Sequence, residues 1–463
     1  MSSETVRIDS PPPSATTRSH RSARVPADTW RVVGLVWLVH WLLTQIPATL
    51  AYHFGTSRPA TYDATGRFID AGASWAYGVV DGLPSQWVPE PLTGIAHWVV
   101  DPFSLWDGSW YRLVSIYGYN PGMKANAAFF PAYPWLMKWG HQLTGWSPQS
   151  IGYIISNVAF FGALVFVYLI VSMDFSAGVA KRTLWAVALF PTAFFFTAVY
   201  TESLFLLFAA GALYMARRRM WWAAGAIGLL AALTRSAGVM LLAPFAVLFI
   251  QQHGWDIRRW FPNAIPAALP ALGPIIYGWI LTRHDMKFTD WIAQQWQWNR
   301  FSAMPWRTFD CTLNGCVAQV RSFTSETHPF EVRPIDWGWM GDILRHPTWS
   351  HFTSFEWRDR MARGDVLEFI ITILAFVLVV VGLRRLPLYY TAFTVPPLIV
   401  PLFSPSSVHP LMSMPRFVLP LFPLFVMIAL LIPNRRIGLV LAGISTVLLI
   451  LLTMQFAQWY WVA

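Results

Sequence analysis

Long apolar runs separated by short basic connections constrain this chain more than any other feature of its sequence. The first run, 30–53, is long enough to cross a membrane as a helix. Further candidate spans are 150–172, 183–199, 201–216, 220–235, 237–252, 262–282, 366–383, 387–403, 415–433 and 437–456. Only 12% of the residues are charged, against about 25% in an ordinary soluble domain. The sequence therefore predicts an all-α polytopic membrane protein with about eleven transmembrane helices.

Several of these runs are short, with only about 16 residues where a straight crossing needs about 20. We expect the short runs to share a break with a neighbouring run and to enter the membrane incompletely, as discontinuous helices do around a site.

Basic residues indicate which ends of the runs face the cytoplasm, because Lys and Arg are enriched in short cytoplasmic connections. They cluster at Lys181-Arg182, Arg217-Arg218-Arg219, Arg258-Arg259, Arg384-Arg385 and Arg435-Arg436. These clusters all face the cytoplasm only if the N-terminus lies inside. The C-terminus and two large loops, 54–149 and 283–365, are then outside. Residues 1–29, which are rich in Ser, Pro, Thr and Arg, are expected to form a disordered cytoplasmic tail, and 30–463 the membrane domain.

The net charge of +10 does not indicate nucleic-acid binding, because the basic residues lie in these short clusters and no nucleic-acid-binding module appears. The only two cysteines, Cys311 and Cys316, exclude a four-cysteine metal site. Both fall in the second outer loop. We predict that they form a small disulfide ring if that compartment is oxidising, with two free buried thiols as the alternative.

The most informative stretch of the first outer loop lies near 104–118. Its residues Trp106, Trp110, Leu113 and Tyr117 recur at helical spacing, and Gly118 ends the pattern. The spacing predicts an amphipathic helix that lies on the membrane surface.

Asp107 stands in the first turn of that predicted helix, with Tyr111 one turn later. A carboxylate at this place would be held at the outer interface, close to lipid headgroups. The alternative is purely structural, because Ser104-x-x-Asp107 also fits a helix capping box. Further along the loop, Pro131 and Pro134 predict an extended turn that bends the chain back toward the membrane.

Three more charged residues lie in apolar surroundings. Glu202 falls between two apolar runs, where a carboxylate is costly unless it has a partner or faces a wet cavity. It could also simply begin the next helix, whose dipole favours a carboxylate. Arg235 and Arg416 are single arginines on the outer side. They could pair with Glu202 or extend their side chains to the membrane surface, but a guanidinium also suits a phosphate, so we assign both as candidate phosphate-binding residues.

Four segments, in order along the chain, carry a resemblance to a known family. They are Trp106-Asp-Gly-Ser-Trp-Tyr111 with Gly118-Tyr119, Phe129-Phe-Pro-Ala-Tyr-Pro134, Phe190-Pro191 through Tyr200-Thr-Glu-Ser-Leu-Phe205, and Pro415-Arg-Phe417. Their order resembles the GPI second-mannosyltransferase family (phosphatidylinositol-glycan class V), including its bacterial members, within the GT-C membrane glycosyltransferases. The second outer loop matches nothing in that pattern, and bacteria that lack GPI would need a different acceptor.

The resemblance implies an inverting transfer of mannose from a polyprenyl-phosphate carrier to a lipid-linked or cell-surface glycan. The transfer would occur on the outer face of a bacterial plasma membrane. Because GT-C enzymes use an aspartate of the first outer loop, the resemblance assigns Asp107 as the catalytic base. Candidate substrate-binding residues are Tyr111, Glu202, His409 and Tyr133. We expect no cofactor and no protein metal site, while the participation of a divalent ion stays open.

Two other classes of function compete with this interpretation. A flippase or transporter of lipids or lipid-linked sugars could also use outer arginines and an aromatic loop. Transporters, however, commonly contain inverted repeats and charges at the membrane midplane, and this sequence has neither pattern. A scaffold of a cell-envelope complex would not require Asp107 at all.

Overall fold

The computed structural model describes residues 27–55, 60–62, 68–70, 90–321, 327–335, 337–338, 345, 365–432, 434–460 and 462. About 75% of the structure is helical. Most of the predicted tail 1–29 lies outside the described residues, and the first helix begins at Ala27.

The helices follow one another closely along the chain. In order they are α1 Ala27–Phe54, α2 Ile95–Val99, α3 Asp107–Tyr117, α4 Ala132–Thr144, α5 Pro148–Asp174, α6 Ala177–Ala188, α7 Glu202–Arg217, α8 Trp221–Thr234 and α9 Leu242–His253. The later helices are α10 Ala264–Ala268, α11 Leu272–Thr282, α12 Asp290–Ala293, α13 Pro305–Asn314, α14 Asp365–Gly382, α15 Leu388–Ile399, α16 Met414–Val418, α17 Phe422–Leu431 and α18 Arg435–Ala457.

Two small antiparallel hairpins and several short 3₁₀ helices are the other regular elements of the described chain. Strand β1 (Ala60–Tyr62) pairs with β2 (Phe68–Asp70), and β3 (Cys316–Arg321) pairs with β4 (Thr327–Val332). The disulfide Cys311–Cys316 joins the end of α13 to the start of β3, so the predicted bond is confirmed.

Six helical stretches of the described chain are long and apolar enough to cross a membrane. They are Asp28–Phe54, Pro148–Asp174, Ser236–His253, Ala264–Thr282, Asp365–Gly382 and Arg435–Ala457. Shorter apolar helices cover Trp221–Thr234, Leu388–Phe403 and Phe422–Leu431. The prediction of an all-α membrane protein is confirmed at this level, and the count of eleven spans stays a prediction.

The predicted span 183–199 is wrong as a single helix. Helix α6 ends at Ala188, and residues 189–201 form an irregular segment that contains only a short 3₁₀ turn. Pro191 has no backbone N–H and disfavours helical geometry in the residue before it, which explains a break at this place. The segment is buried from residue 192 onward, and it delivers the chain to Glu202 in the interior.

Helix α3 forms as predicted and ends before Gly118, but most of it is covered by other parts of the protein, and its place at a membrane surface stays a prediction. Both of its faces are largely buried, with Leu113 on one side and Val114 and Ser115 on the other. The apolar spacing therefore marked packing against protein, here against α4 and α5.

The capping-box interpretation of Ser104 is also wrong. Its hydroxyl donates to the backbone carbonyl of Asp101, and no side chain caps α3. The predicted extended turn at Pro131 and Pro134 is wrong in its second half, because α4 already begins at Ala132. Pro134 then lies in the first turn of the helix, where an N–H has no intrahelical acceptor and proline is tolerated.

The two ends of the helical bundle carry different polar groups. At one end Lys181 bonds Asp28 at 2.7 Å and Arg217 bonds Asp174 at 2.8 Å. Glu202 lies at the other end of α7, a helix of 16 residues and thus about 24 Å long. Arg217 therefore lies about one helix length away from Glu202.

Candidate active site

Four charged side chains from distant parts of the chain meet at one place. Arg416 donates from Nη1 to Asp107 Oδ2 at 2.6 Å and from Nε to Glu202 Oε1 at 3.1 Å. Arg235 donates from Nη1 to the same Glu202 oxygen at 2.5 Å. The pairing of both arginines with Glu202, which was the alternative to phosphate binding, is thus present, and neither arginine is an isolated cation.

Each of these residues lies at the end of a helix or in a very short one. Asp107 and Glu202 are the first residues of α3 and α7, whereas Arg235 directly follows α8. Arg416 belongs to the five-residue helix α16, which begins after Ser413 in the left-handed backbone region (φ 71°). Helix ends and short helices can aim side chains inward at one level of the bundle, and here they do so.

The irregular segment 189–201 supplies the surface under Arg416. The guanidinium carbon lies 4.7 Å from the ring centre of Tyr200 and 5.2 Å from that of Phe195, within range of a cation–π contact. The Tyr200 hydroxyl also accepts a hydrogen bond of 3.0 Å from the backbone N–H of Asp107. Tyr200 therefore holds the position of both members of the Asp107–Arg416 pair, although the sequence analysis did not select it.

A cavity of about 160 Å³ lies beside this cluster. The charged residues that line it are Asp107, Arg235, Arg300 and Arg416. Its aromatic residues are Tyr111, Phe129, Phe130, Trp298 and Phe417. Guanidinium groups bind anions and aromatic faces stack against sugars and apolar chains, so the lining suits a ligand that combines an anionic group with a larger neutral part.

The other candidate residues differ in whether they line the cavity. Tyr111 lines the cavity, and its hydroxyl lies 3.1 Å from that of Thr201. Glu202 is fully buried behind the arginines. Tyr133 is fully buried too, and its hydroxyl donates to the carbonyl of Gly152 at 2.8 Å, so it ties α4 to α5. Tyr133 is not among the residues found to line the cavity within the described chain.

His409 likewise does not line the cavity as far as the described residues define it. Its Nδ1 lies 3.6 Å from Glu368, a fully buried carboxylate in the first turn of α14. The other oxygen of Glu368 accepts from the backbone N–H of Ser413 at 3.2 Å. Glu368 thus fixes the turn that precedes Arg416, and His409 belongs to that supporting layer.

The second outer loop contributes to the cavity in a way that the sequence analysis missed. Its residues Gln295, Trp298 and Arg300 line the cavity, and the Trp298 ring lies 5.7 Å from that of Phe129 in the first loop. Residues of this loop show no periodic pattern that would have pointed to the cavity. The loops 54–149 and 283–365 therefore share one site.

The arrangement combines a carboxylate with access to a cavity and several guanidinium groups around it. Asp107 keeps 13% of its side chain exposed, enough to meet a small polar group of a ligand. Within the described residues no group of three or more His, Cys, Asp or Glu side chains is placed to hold a metal ion. No protein-family model, curated protein or solved structure matches the chain.

Proposed function

We propose that the protein is a GT-C-type membrane mannosyltransferase. It would transfer mannose from a polyprenyl-phosphate carrier to a lipid-linked or cell-surface glycan acceptor, with inversion, on the extracytoplasmic face of a bacterial plasma membrane. The observation that carries the proposal is the contact of Arg416 with Asp107 and Glu202. These three residues come from three of the four segments that resemble the GPI second-mannosyltransferase family. Their convergence beside one cavity supports a common chemical task.

In the proposed reaction Asp107 is the base. An acceptor hydroxyl gives its proton to the carboxylate while its oxygen attacks the anomeric carbon of mannose. The bond between that carbon and the phosphate oxygen breaks, and its electron pair leaves on the polyprenyl phosphate. A single displacement inverts the anomeric centre and needs no second carboxylate as nucleophile.

The hydrogen bonding of Asp107 suits this role. Within the described chain Arg416 takes only Oδ2 of the carboxylate, which leaves Oδ1 for an acceptor hydroxyl. The same guanidinium lies beside the cavity and can stabilise negative charge that develops on a leaving phosphate. Base and phosphate-binding group would thus be adjacent, as a displacement at one carbon requires.

The location of the site in the bundle supports an outer-face reaction. In the proposed topology about eleven spans cross the membrane with the N-terminus inside. Arg217 and Lys181 then mark the cytoplasmic end, and Glu202 at the other end of α7 lies outside. A lipid-linked donor would place its isoprenoid chain between helices and its phosphate at the arginines.

The decisive experiment incubates purified protein with radiolabelled polyprenyl-phosphate mannose and a lipid extract. The proposal expects label to appear in a new glycolipid or glycan product. Movement of intact labelled donor between the leaflets of a vesicle, without product, would instead establish the flippase alternative. Efficient use of another polyprenyl-linked sugar, with no use of mannose, would correct the sugar and keep the reaction class.

A further inference from the structure

Arg300 is firmly built into the wall of the cavity. It lies at the start of the second outer loop, where it pairs in an antiparallel bridge with Ser406. The pairing continues on one side of the bridge, since the backbone N–H of Phe301 donates to the carbonyl of Pro405 at 2.9 Å. The backbone of Arg300 is therefore held in place by the segment that leads to Arg416.

Within the described chain the guanidinium of Arg300 bonds only to backbone carbonyls. Nη1 donates to Ser404 at 2.7 Å and Nη2 to Met412 at 3.4 Å. Among the described residues no carboxylate lies within ion-pair distance of it, whereas Arg235 and Arg416 are both bound to Glu202. Of the three arginines that line the cavity, Arg300 alone is not already paired with an acidic residue within the described chain.

The charge of Arg300 is only partly compensated by nearby carboxylates. Burial lowers the pKa of its guanidinium to about 10 although the negative charges of Glu368 and Asp107 oppose the shift, and the positive charge of Arg416 adds to the lowering. The group nevertheless stays protonated at neutral pH. A half-buried cation that bonds no carboxylate among the described residues is costly, and an anion in the cavity would offset this cost.

We propose that Arg300 binds a phosphate group in the cavity, together with Arg416. The shared chemistry is that of a phosphate anion, either the head of a polyprenyl phosphate or a free phosphate. The assignment of the phosphate to a polyprenyl lipid rests on the function proposed above, but the existence of an anion site does not. The second outer loop, which the family resemblance does not cover, would then form part of the donor site.

The test measures binding of two probes to the full-length protein in lipid nanodiscs. One probe is radiolabelled polyprenyl phosphate without sugar, and the other is inorganic phosphate. The variants are Arg300→Gln, which can still donate to a carbonyl but carries no charge, and Arg300→Lys, which keeps the charge. The matched control is Thr308→Val, because the Thr308 hydroxyl bonds the carbonyl of Leu402 at 2.6 Å in the same loop pairing. Melting temperatures identify any variant that fails to fold.

We expect Arg300→Gln to weaken polyprenyl phosphate binding about tenfold or more, the usual loss for a charged hydrogen bond. Arg300→Lys should bind better than Arg300→Gln, and Thr308→Val should bind like the unmodified protein. Equal losses in Arg300→Gln and Thr308→Val, or none in Arg300→Gln, would overturn the inference and leave the mannosyltransferase proposal standing. If only inorganic phosphate binds, and Arg300→Gln abolishes it, the anion site is supported and the lipid donor is wrong. Failure of the unmodified protein to bind either probe would overturn both.

Discussion

Arg416 bonds Asp107 at 2.6 Å although 309 positions separate the two residues in the sequence. The same guanidinium bonds Glu202 through Nε, so one side chain connects the loop 54–149, the start of α7 and the short helix α16. The position of the proposed base is therefore coupled to the position of the proposed phosphate-binding group. Changes at Arg416 should affect the placement of Asp107 as well as the donor.

Replacement of Arg416 by lysine tests whether the planar guanidinium, with its paired N–H donors, is required. A lysine keeps the charge, but it cannot bond Asp107 and Glu202 in the same fixed geometry. We expect Arg416→Lys to weaken apparent donor affinity about tenfold or more, measured as the initial rate against the concentration of polyprenyl-phosphate mannose. Arg307→Lys is the matched control, because Arg307 is an exposed arginine of the second loop that pairs with Asp310. Unchanged donor affinity in Arg416→Lys would contradict the phosphate assignment.

Substitution of Glu202 distinguishes two explanations of its role, a buried ion-pair network and a favourable interaction with the helix dipole. Its carboxylate is fully buried and bound by both Arg235 and Arg416. Breaking such a network by Glu202→Gln should destabilise the protein by about 3–5 kcal/mol. A role confined to the start of α7 predicts a loss of only about 0.3–1 kcal/mol.

Thermal unfolding in detergent distinguishes these magnitudes. Glu202→Gln should melt well below the unmodified protein, whereas Glu331→Gln, at an exposed carboxylate of β4, should not. If the two variants melt together, the network contributes little to stability and the dipole explanation is correct.

The proposed orientation in the membrane assigns the two ends of α7 to opposite sides. Reporter fusions after Arg219 and after Arg300 should report the cytoplasm and the exterior respectively, because short cytoplasmic connections collect basic residues. Each position is fused to two reporters, one active only in the cytoplasm and one active only outside. Each reporter then serves as the control for the other. The reversed pair of signals would refute the topology and place the cavity on the inner face.

The charged part of the site could be predicted from the sequence, because a charge in apolar surroundings is costly and therefore conspicuous. Glu202, Arg235 and Arg416 were selected on that ground, Asp107 was selected from its place in the first turn of a predicted helix, and the structure brings the four together. The existence of α3 was also predictable from its helical spacing. Its burial was not, since the spacing identifies an apolar face but not what covers it.

Other parts of the site depend on contacts that leave no periodic signal. Arg300 reaches the cavity through pairing with a segment more than a hundred positions away, at Ser404 and Met412. Tyr200 lies at the end of the buried irregular segment 189–201, most of which was predicted to belong to the span 183–199. Pro134 was misassigned for a related reason, because its effect on a helix depends on where the helix begins.

The most direct test of the account is mannose transfer by Asp107→Asn. The asparagine can still accept a hydrogen bond from Arg416 but cannot take a proton, so the site should keep its shape and lose its base. The matched control is Asp101→Asn, a buried aspartate of the same loop that bonds His97 at 2.7 Å.

The measurement is the rate of label transfer from polyprenyl-phosphate mannose by purified protein, with donor binding determined in parallel. We expect Asp107→Asn to retain donor binding and to lose transfer by a factor of about 10² to 10⁴, while Asp101→Asn remains active. Near-normal transfer by a folded Asp107→Asn protein would contradict the account and make Glu202 the next carboxylate to test.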